Sequence, residues 1–448
     1  MSEIYDLPLS FRIARGYLCF AFKRFYSECI VVGKENIPTE GPVIFAPNHV
    51  NALMDALAVH SIAPNDIPVI FLARADLFRK KTTAKMLRFA KIMPAFRMRD
   101  GIENLGKNNK IFNQCVEVLD KNKALGIMPE GNQEIERKLR PLVKGIFRIA
   151  FAAQQKHGIK SAVKIIPVGI DYGDIVKSNT HIIINVGKPI EVSEYMDLYA
   201  ENPVGATNNI RDRLTTDLEN MTLNLATDNY YECFEIATEV ANISVLNEIK
   251  LSDNTVSRFV ARQKVAERLV AIEKNNPDEV KKLDALCSEY GNLLKKLNLK
   301  TWVLDNCNYQ TSLLIVRSLF LLLTFPVFIY GFVMNLFPFF TPSFIRKYVL
   351  KPEFTGFFSS LHLFLGLITF PVFYILQTVL VGCTFDLSWW IIVFYLFSLY
   401  PFGKLAMKWY KTAVKQLAIL RYQKLKQKKS PELLQAQNLR EQIIRMIS

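Results

Sequence analysis

Residues 43–56 read VIFAPNHVNALMDA: an apolar run, a turn, then the start of a helix. VIFA is short, apolar and closed off by prolines at 42 and 47, as a buried strand is. Asn51 suits the N-cap of a helix that begins at Ala52. Asp55 then falls in that helix's first turn, where a carboxylate complements the positive end of the dipole. On one continuous helix His49 and Asp55 would face different sides. With His49 outside the helix and folded back over its N-terminus, the two can hydrogen-bond. A carboxylate on one imidazole nitrogen fixes the tautomer and leaves the other nitrogen to take a proton from a hydroxyl. The same residues also make an ordinary capping turn with a satisfied histidine, and the stretch alone leaves both readings open.

Strand-like and helix-like pieces alternate around this stretch, from 41 to about 190. Strands are predicted at 43–46, 69–73, 93–96, 125–128, 164–169 and 182–186, each short, apolar and bounded by proline, glycine or charge. Helical spacing lies between several of them, notably at 76–91, 111–119 and 146–153. The alternation predicts an α/β layer fold. In open α/β sheets ligands sit at the carboxyl ends of strands. Here those ends carry His49, then Arg74 in FLARADLF, Arg97 and Arg99 in IMPAFRMRDG, and Glu130-Gly131 in LGIMPEGNQ. Guanidinium groups in such a place suit a phosphate, which they grip through two bonds. A single arginine is more often a surface ion pair; the argument lies in their common position. No G-x-x-x-x-G-K-[ST] loop points to nucleotide hydrolysis, and no G-x-S-x-G elbow offers a nucleophile.

The seven cysteines are scattered, odd in number and free of C-x-x-C pairs. That argues against a disulfide framework or a zinc site and fits a reducing compartment. The opening MSEIYDLPLS carries two acids and predicts no secretory signal. Residues 11–33 read as one amphipathic helix, lying on a membrane surface or packed on the domain. The formal net charge is +15. From Lys404 onward stand eleven Lys/Arg against two Glu, a net of +9. Because this tail follows an apolar zone, retention at an anionic cytoplasmic leaflet explains it better than nucleic acid does.

Residues 205–300 read as amphipathic helices with no chemistry of their own. Residues 312–340 and 357–383 are apolar over more than the roughly 20 residues a spanning helix needs. Both contain TFPVF, at 324–328 and 369–373, and each proline predicts a kink. A third run, 388–402, is short for a crossing. Two spans and an interfacial or re-entrant third would keep both the domain and the tail on the cytoplasmic side. The resulting division is 1–35 amphipathic helix, 36–200 catalytic domain, 201–305 helical insert, 306–403 hydrophobic region and 404–448 basic tail.

NHVNALMD, FLARADL, MPAFRMR, MPEGNQ and IIPVGI, in this order and spacing, resemble the blocks of the glycerolipid acyltransferase family, over about 40–190. The resemblance implies an acyltransferase-type mixed sheet with flanking helices. It implies acyl transfer from acyl-CoA or acyl carrier protein to glycerol 3-phosphate or 1-acyl-glycerol 3-phosphate, with no other cofactor and no metal. On it, His49 is the general base and Asp55 its orienting partner. Arg74, and Arg97 or Arg99, meet the phosphate, and Glu130 with Gly131 helps hold the acceptor. Pro167 matches the late proline-containing strand. Two departures stand out. Five residues rather than four separate His49 from Asp55, and Gln133 replaces an arginine. Both bring the chain nearer the fungal-type glycerol-3-phosphate and dihydroxyacetone-phosphate acyltransferases. In those, a lysine before glycine follows, as Lys144-Gly145 does in PLVKGIF. Lys138, Arg140 and Lys144 are the cations available to compensate for Gln133.

The partners implied are a lipid bilayer, the acyl thioester and a glycerol phosphate or lysophospholipid. The protein is then integral to a bacterial inner or endoplasmic-reticulum-like membrane, with its catalytic domain on the cytoplasmic face. Competing readings are an acyltransferase for another amphiphilic alcohol or amine, a thioester hydrolase using the same His–Asp pair on water, and a transporter with a regulatory domain. His60 reads as structural. His362, inside an apolar run, is close enough to its end to reach the interface.

Overall fold

Helix α1 (Leu9–Phe25) stops short, and strand β1 (Glu28–Val32) follows where the pattern predicted helix as far as 33. The Ile30-Val31-Val32 run is β-branched and gains a parallel ladder with a later strand, which outweighs its continuity with the helix. The computed structural model describes residues 4–95, 105–158, 161–305, 309–352 and 354–448. The chain forms two units, Met1–Asn224 with Pro352–Leu363, and Leu225–Lys351 with Phe364–Ser448.

In the first unit β2 (Val43–Pro47), buried at every position, leads into α2 (Ala52–Ile62). Then come β3 (Val69–Arg74), α3 (Lys81–Phe89), β4 (Ile92–Ala95), α4 (Leu105–Asp120), β5 (Ala124–Gly126) and α5 (Gly145–His157). They are followed by β6 (Lys164–Tyr172), β7 (His181–Val186), β8 (Ile190–Glu191), α6 (Met196–Glu201) and α7 (Pro203–Met221). The sheet runs β1-β7-β6-β2-β5-β3-β4, with β8 on β6. Strands β2 to β6 are mutually parallel, and β7 and β8 lie antiparallel to β6, so the sheet is mixed. One core cluster joins β2, β3 and β5 to the apolar stripes of α4 (Cys115, Val118, Leu119), α5 (Ile146, Phe147, Phe151) and α7 (Ile210, Leu214, Leu218). Helix α2 is apolar nearly all round and correspondingly buried. The buried Arg15 of α1 donates to the carbonyls of His60 at 3.1 Å and Ala63 at 2.8 Å, which the end of α2 leaves without helical partners.

The second unit opens with α8 (Tyr231–Glu248), α9 (Thr255–Asn275) and α10 (Pro277–Leu297), each started by a local signal such as the Asn254 side chain capping Ser257 N–H or Pro277 in the first turn. Apolar helices follow: α11 (Thr311–Leu323), α12 (Phe325–Ile345), α13 (Phe358–Phe385) and α14 (Trp389–Gln427). The first TFPVF breaks the chain between α11 and α12, with its proline in the opening turn of α12. The second lies inside α13. The run at 388–402 is not short: it continues without a break into basic sequence as a 39-residue helix. Among the described residues three helices are long and apolar enough to cross a membrane, Phe325–Leu350, Thr355–Phe385 and Trp389–Gln427. Within the second unit Asn335 joins them. Its amide donates to Leu399 O at 3.0 Å, and Tyr374 O–H donates to its Oδ1 at 2.5 Å. Helix α15 (Pro431–Ile447) buries Leu433, Ala436, Leu439 and Ile443 in the bundle of α8 and α10, and Arg440 pairs with Asp305 at 2.8 Å.

Candidate active site

The chain leaves β2 at Pro47 and turns through residues 48–51 into α2. Asn48 pins the turn to β6: its Oδ1 accepts the Ile170 N–H at 2.7 Å and its amide donates to Ile170 O at 3.2 Å. Ala52 then adopts φ 43°, a left-handed conformation that alanine avoids. This tight entry folds His49 back over the first turn of α2, and its Nδ1 lies 2.9 Å from Asp55 Oδ2. A carboxylate only accepts, so Nδ1 carries the proton of this bond, and in the neutral ring Nε2 is left with the lone pair.

Asp55 is fully buried. The oxygen that meets His49 also accepts the Asn51 N–H at 2.8 Å, and Oδ1 accepts the Tyr172 O–H at 2.6 Å. Three donors compensate the buried charge. Burial, and then the charge of Asp55, pushes the Tyr172 phenol well above its ordinary range, so it stays a donor. The Tyr26 phenol is raised by the same two causes in the same order, and its buried hydroxyl has no hydrogen-bond partner among the described residues.

Glu130 closes the other side. Its Oε1 accepts the His49 backbone N–H at 2.6 Å, and its Oε2 accepts the backbone N–H and Nε of Arg140 at 3.1 and 3.0 Å. Arg140 Nη2 donates to His49 O at 3.0 Å and to Asn132 O at 2.5 Å. Burial raises the Glu130 carboxyl, and the Arg140 guanidinium beside it pulls the other way. Gly131 has φ 70°, where a side chain would be strained, and a Cβ there would stand 3.2 Å from Val143.

The parallel strands β2, β5, β3 and β4 end along one edge, so His49, Glu130 and Arg74 share it. Arg74 is exposed and forks onto Asp76. Arg97 and Arg99 lie outside the described residues. Lys144 is exposed at the N-cap position of α5. Asn51 occupies the N-cap position of α2 but makes no capping bond. Its amide instead donates to Ile175 O at 2.9 Å, and its Oδ1 accepts the Ser359 O–H at 2.6 Å. His60 is half-buried, and desolvation of its ring followed by the Arg15 charge pushes it down to about 3. Sequence reasoning missed Tyr172, Tyr26, Ser359 and the clamp formed by Arg140. The one available signal was strand length: β6 was expected to end at 169 and runs to Tyr172, which puts that side chain on Asp55. Among the described residues no group of three His, Cys, Asp or Glu could hold a metal ion.

Residues 28–171 match the family model described as Acyltransferase. Glycerol-3-phosphate O-acyltransferase 1 of Saccharomyces cerevisiae is 25% identical over 133 residues, 30% of this chain and 17% of that protein. The chain thus aligns with under a fifth of the yeast relative's length. A 1-acyl-sn-glycerol-3-phosphate acyltransferase of Borreliella burgdorferi is 25% identical over 218 residues, 47% of this chain and 80% of that one. Among solved structures, the 1-acyl-sn-glycerophosphate acyltransferase PlsC of Thermotoga maritima aligns with a TM-score of 0.34 at 18% identity, covering 46% of this chain and 76% of its own. The Acyltransferase family match spans the His49–Asp55 pair and Glu130.

Proposed function

We propose that this protein transfers a fatty acyl group from an acyl thioester to a hydroxyl of glycerol 3-phosphate or 1-acyl-glycerol 3-phosphate. The observation that carries the reading is the 2.9 Å His49–Asp55 pair at the carboxyl end of β2, inside an acyltransferase-family segment. The names of the two relatives support the choice of acceptors. His49 Nε2 takes the proton of the acceptor hydroxyl as its oxygen attacks the thioester carbonyl. The C–S bond breaks, the thiolate leaves and the imidazolium returns the proton to it, so no covalent enzyme intermediate forms. Asp55 holds the ring and stabilises the imidazolium. A positioned base of this kind contributes roughly 10²–10⁴ in rate. Arg74 and Lys144 supply positive charge for the acceptor phosphate. The donor is acyl-CoA or acyl carrier protein. The three membrane-length helices anchor the enzyme where its insoluble product belongs, with the catalytic unit on the cytoplasmic face.

The test is thiol release from a long-chain acyl-CoA, and in parallel from acyl carrier protein, by the detergent-solubilised chain. Glycerol 3-phosphate, lysophosphatidic acid and no acceptor are compared, for wild type and His49→Ala. Acceptor-dependent release that the substitution abolishes is expected. Release without acceptor would mean hydrolysis, and release indifferent to His49→Ala would refute the assignment of the base.

A further inference from the structure

We infer that residues 352–363, far outside the acyltransferase-family segment, complete the catalytic turn, with Ser359 as a positioning residue for the His49–Asp55 pair. The inference rests on the acyl-transfer reading above and adds to it a part of the active site that the family segment lacks.

The segment Pro352–Leu363 groups with Met1–Asn224, apart from the helical sequence on either side of it. Ser359 and Asn51 are both buried, at 1% and 0% exposure, so no water competes for the bond between them. The Ser359 hydroxyl donates to Asn51 Oδ1 at 2.6 Å, while the Asn51 amide donates to Ile175 O at 2.9 Å. The Asn51 side chain is therefore held from two sides. Its backbone N–H lies on the Asp55 oxygen that His49 also uses. A chain of contacts thus runs from Ser359 through Asn51 to Asp55 and the imidazole. The next residue, Ala52, sits in a left-handed conformation that persists only when its surroundings hold it. The segment has a second hold on this unit, the edge of the His362 ring on Phe25 with centroids 6.1 Å apart.

Ser359 lies in the first turn of α13, within the membrane-length helix Thr355–Phe385. The first residues of a candidate span thereby lie against the Asn51 turn of this unit.

Loss of the Ser359 hydroxyl leaves the Asn51 side chain held from one side only, by Ile175 O, and loosens the Asn51 N–H on Asp55. The pair then loses its orientation, and more of the carboxylate charge falls on the imidazole. The other titratable or charged groups around the pair are Tyr172 on β6, with Asp171 beside it, Tyr26 after α1, Cys29 near Tyr26, and Glu130 with Arg140 after β5. None of them changes in the variant. An imidazole that holds its proton more tightly moves the acid limb of the rate–pH profile to higher pH.

The experiment compares wild type, Ser359→Ala, Ser359→Thr, Ser360→Ala and His49→Ala, as full chains in detergent or nanodiscs, by thiol release from acyl-CoA with the accepting glycerol phosphate. Ser360 is the matched control, because its hydroxyl is buried beside Ser359 and has no hydrogen-bond partner among the described residues. Ser359→Ala is expected to lower kcat by about tenfold, within the range a small misplacement of reacting groups brings. KM for the acceptor should stay within about twofold and the acid limb should rise. Ser359→Thr, which keeps the donor, restores most of the rate, and Ser360→Ala matches wild type. If Ser359→Ala does not yield folded protein, Ser359→Cys, of similar size but a weak donor, takes its place. A dead His49→Ala beside an alanine or cysteine variant indistinguishable from Ser360→Ala overturns this inference alone. Wild type without acceptor-dependent release, or His49→Ala with undiminished release, overturns the acyl-transfer reading and this inference with it.

Discussion

Replacing Tyr172 by phenylalanine removes one hydroxyl from a fully buried place and leaves the ring. The bond lost is 2.6 Å long and ends on a carboxylate with no exposure. Water cannot replace it, so about 1.5–3 kcal/mol of stabilisation of the Asp55 charge is forfeited. Two effects follow with different signatures. Asp55 keeps only donors on its other oxygen, His49 and the Asn51 N–H, so it can turn about that edge and take the imidazole with it. If half the lost energy appears in the barrier, the plateau rate falls by about four- to tenfold, since about 1.4 kcal/mol is tenfold. The carboxylate charge, no longer shared with a phenol, also acts more fully on the imidazole, and the acid limb rises by up to about one pH unit. The assay is thiol release across pH 5 to 9 for wild type, Tyr172→Phe and Tyr26→Phe. Tyr26 supplies the comparison, because its hydroxyl is buried near the same charge and has no hydrogen-bond partner among the described residues. A fall in rate with an unmoved acid limb would mean that the Tyr172 hydroxyl only packs. The same shift in Tyr26→Phe would mean that the pocket responds to any lost hydroxyl. Either result refutes the reasoning.

Arg140→Ala leaves the Glu130 carboxylate, with a side chain 1% exposed, without its cation, and destabilisation of about 3–5 kcal/mol is expected. Burial already raises that carboxyl, and without Arg140 it rises further. The unfolded chain then ionises first, so the deficit grows as pH climbs above the ordinary carboxylate range. Thermal midpoints should differ more from wild type at pH 8 than at pH 5, and lysine should not rescue, because one guanidinium serves Glu130, His49 O and Asn132 O. His60→Leu tests the opposite sign. The unfolded histidine binds a proton near 6.5 and the folded one only at about 3, so its contribution is present above 6.5 and is lost as pH falls. Wild type should lose up to about 1.4 kcal/mol per pH unit below 6.5 from this group, and the variant should lack that slope between pH 7 and 5 in a thermal melt. Arg74→Ala should raise KM for the phosphate-bearing acceptor about tenfold with kcat nearly unchanged. A fall in kcat at constant KM would contradict a ground-state phosphate contact.

The sheet was legible because its parallel strands are buried on both faces and so read as unbroken apolar runs: 43–46 became β2, 69–73 became β3 and 164–169 became most of β6. Strand β1 was not legible, because no residue of it is fully buried and its apolar residues continue the spacing of α1. The two TFPVF pentapeptides show the limit of local reading. In one the proline opens α12, as a missing N–H permits. In the other it sits inside α13, where packing among apolar helices tolerates it. What differs lies in the neighbours each segment packs against, which the five letters do not contain.

The site divides along the same line. Spacing alone could say that His49 and Asp55 were able to meet, because both belong to one turn. Whether they do meet depends on groups 81, 117 and 308 positions away from the residues they hold: Glu130 on the His49 N–H, Tyr172 on Asp55 and Ser359 on Asn51. Glu130 was readable, since it follows a neighbouring strand and stands beside a glycine whose backbone conformation favours that residue. Tyr172 and Ser359 were not, since a buried hydroxyl has no period and no flanking signature. The family match ends at residue 171, one position before Tyr172 and well before Ser359. It therefore contains the two groups to which the proposed mechanism gives the proton chemistry, and omits two of the groups hydrogen-bonded around them. Substitutions at those two positions should change how well the base works while leaving the family motifs intact.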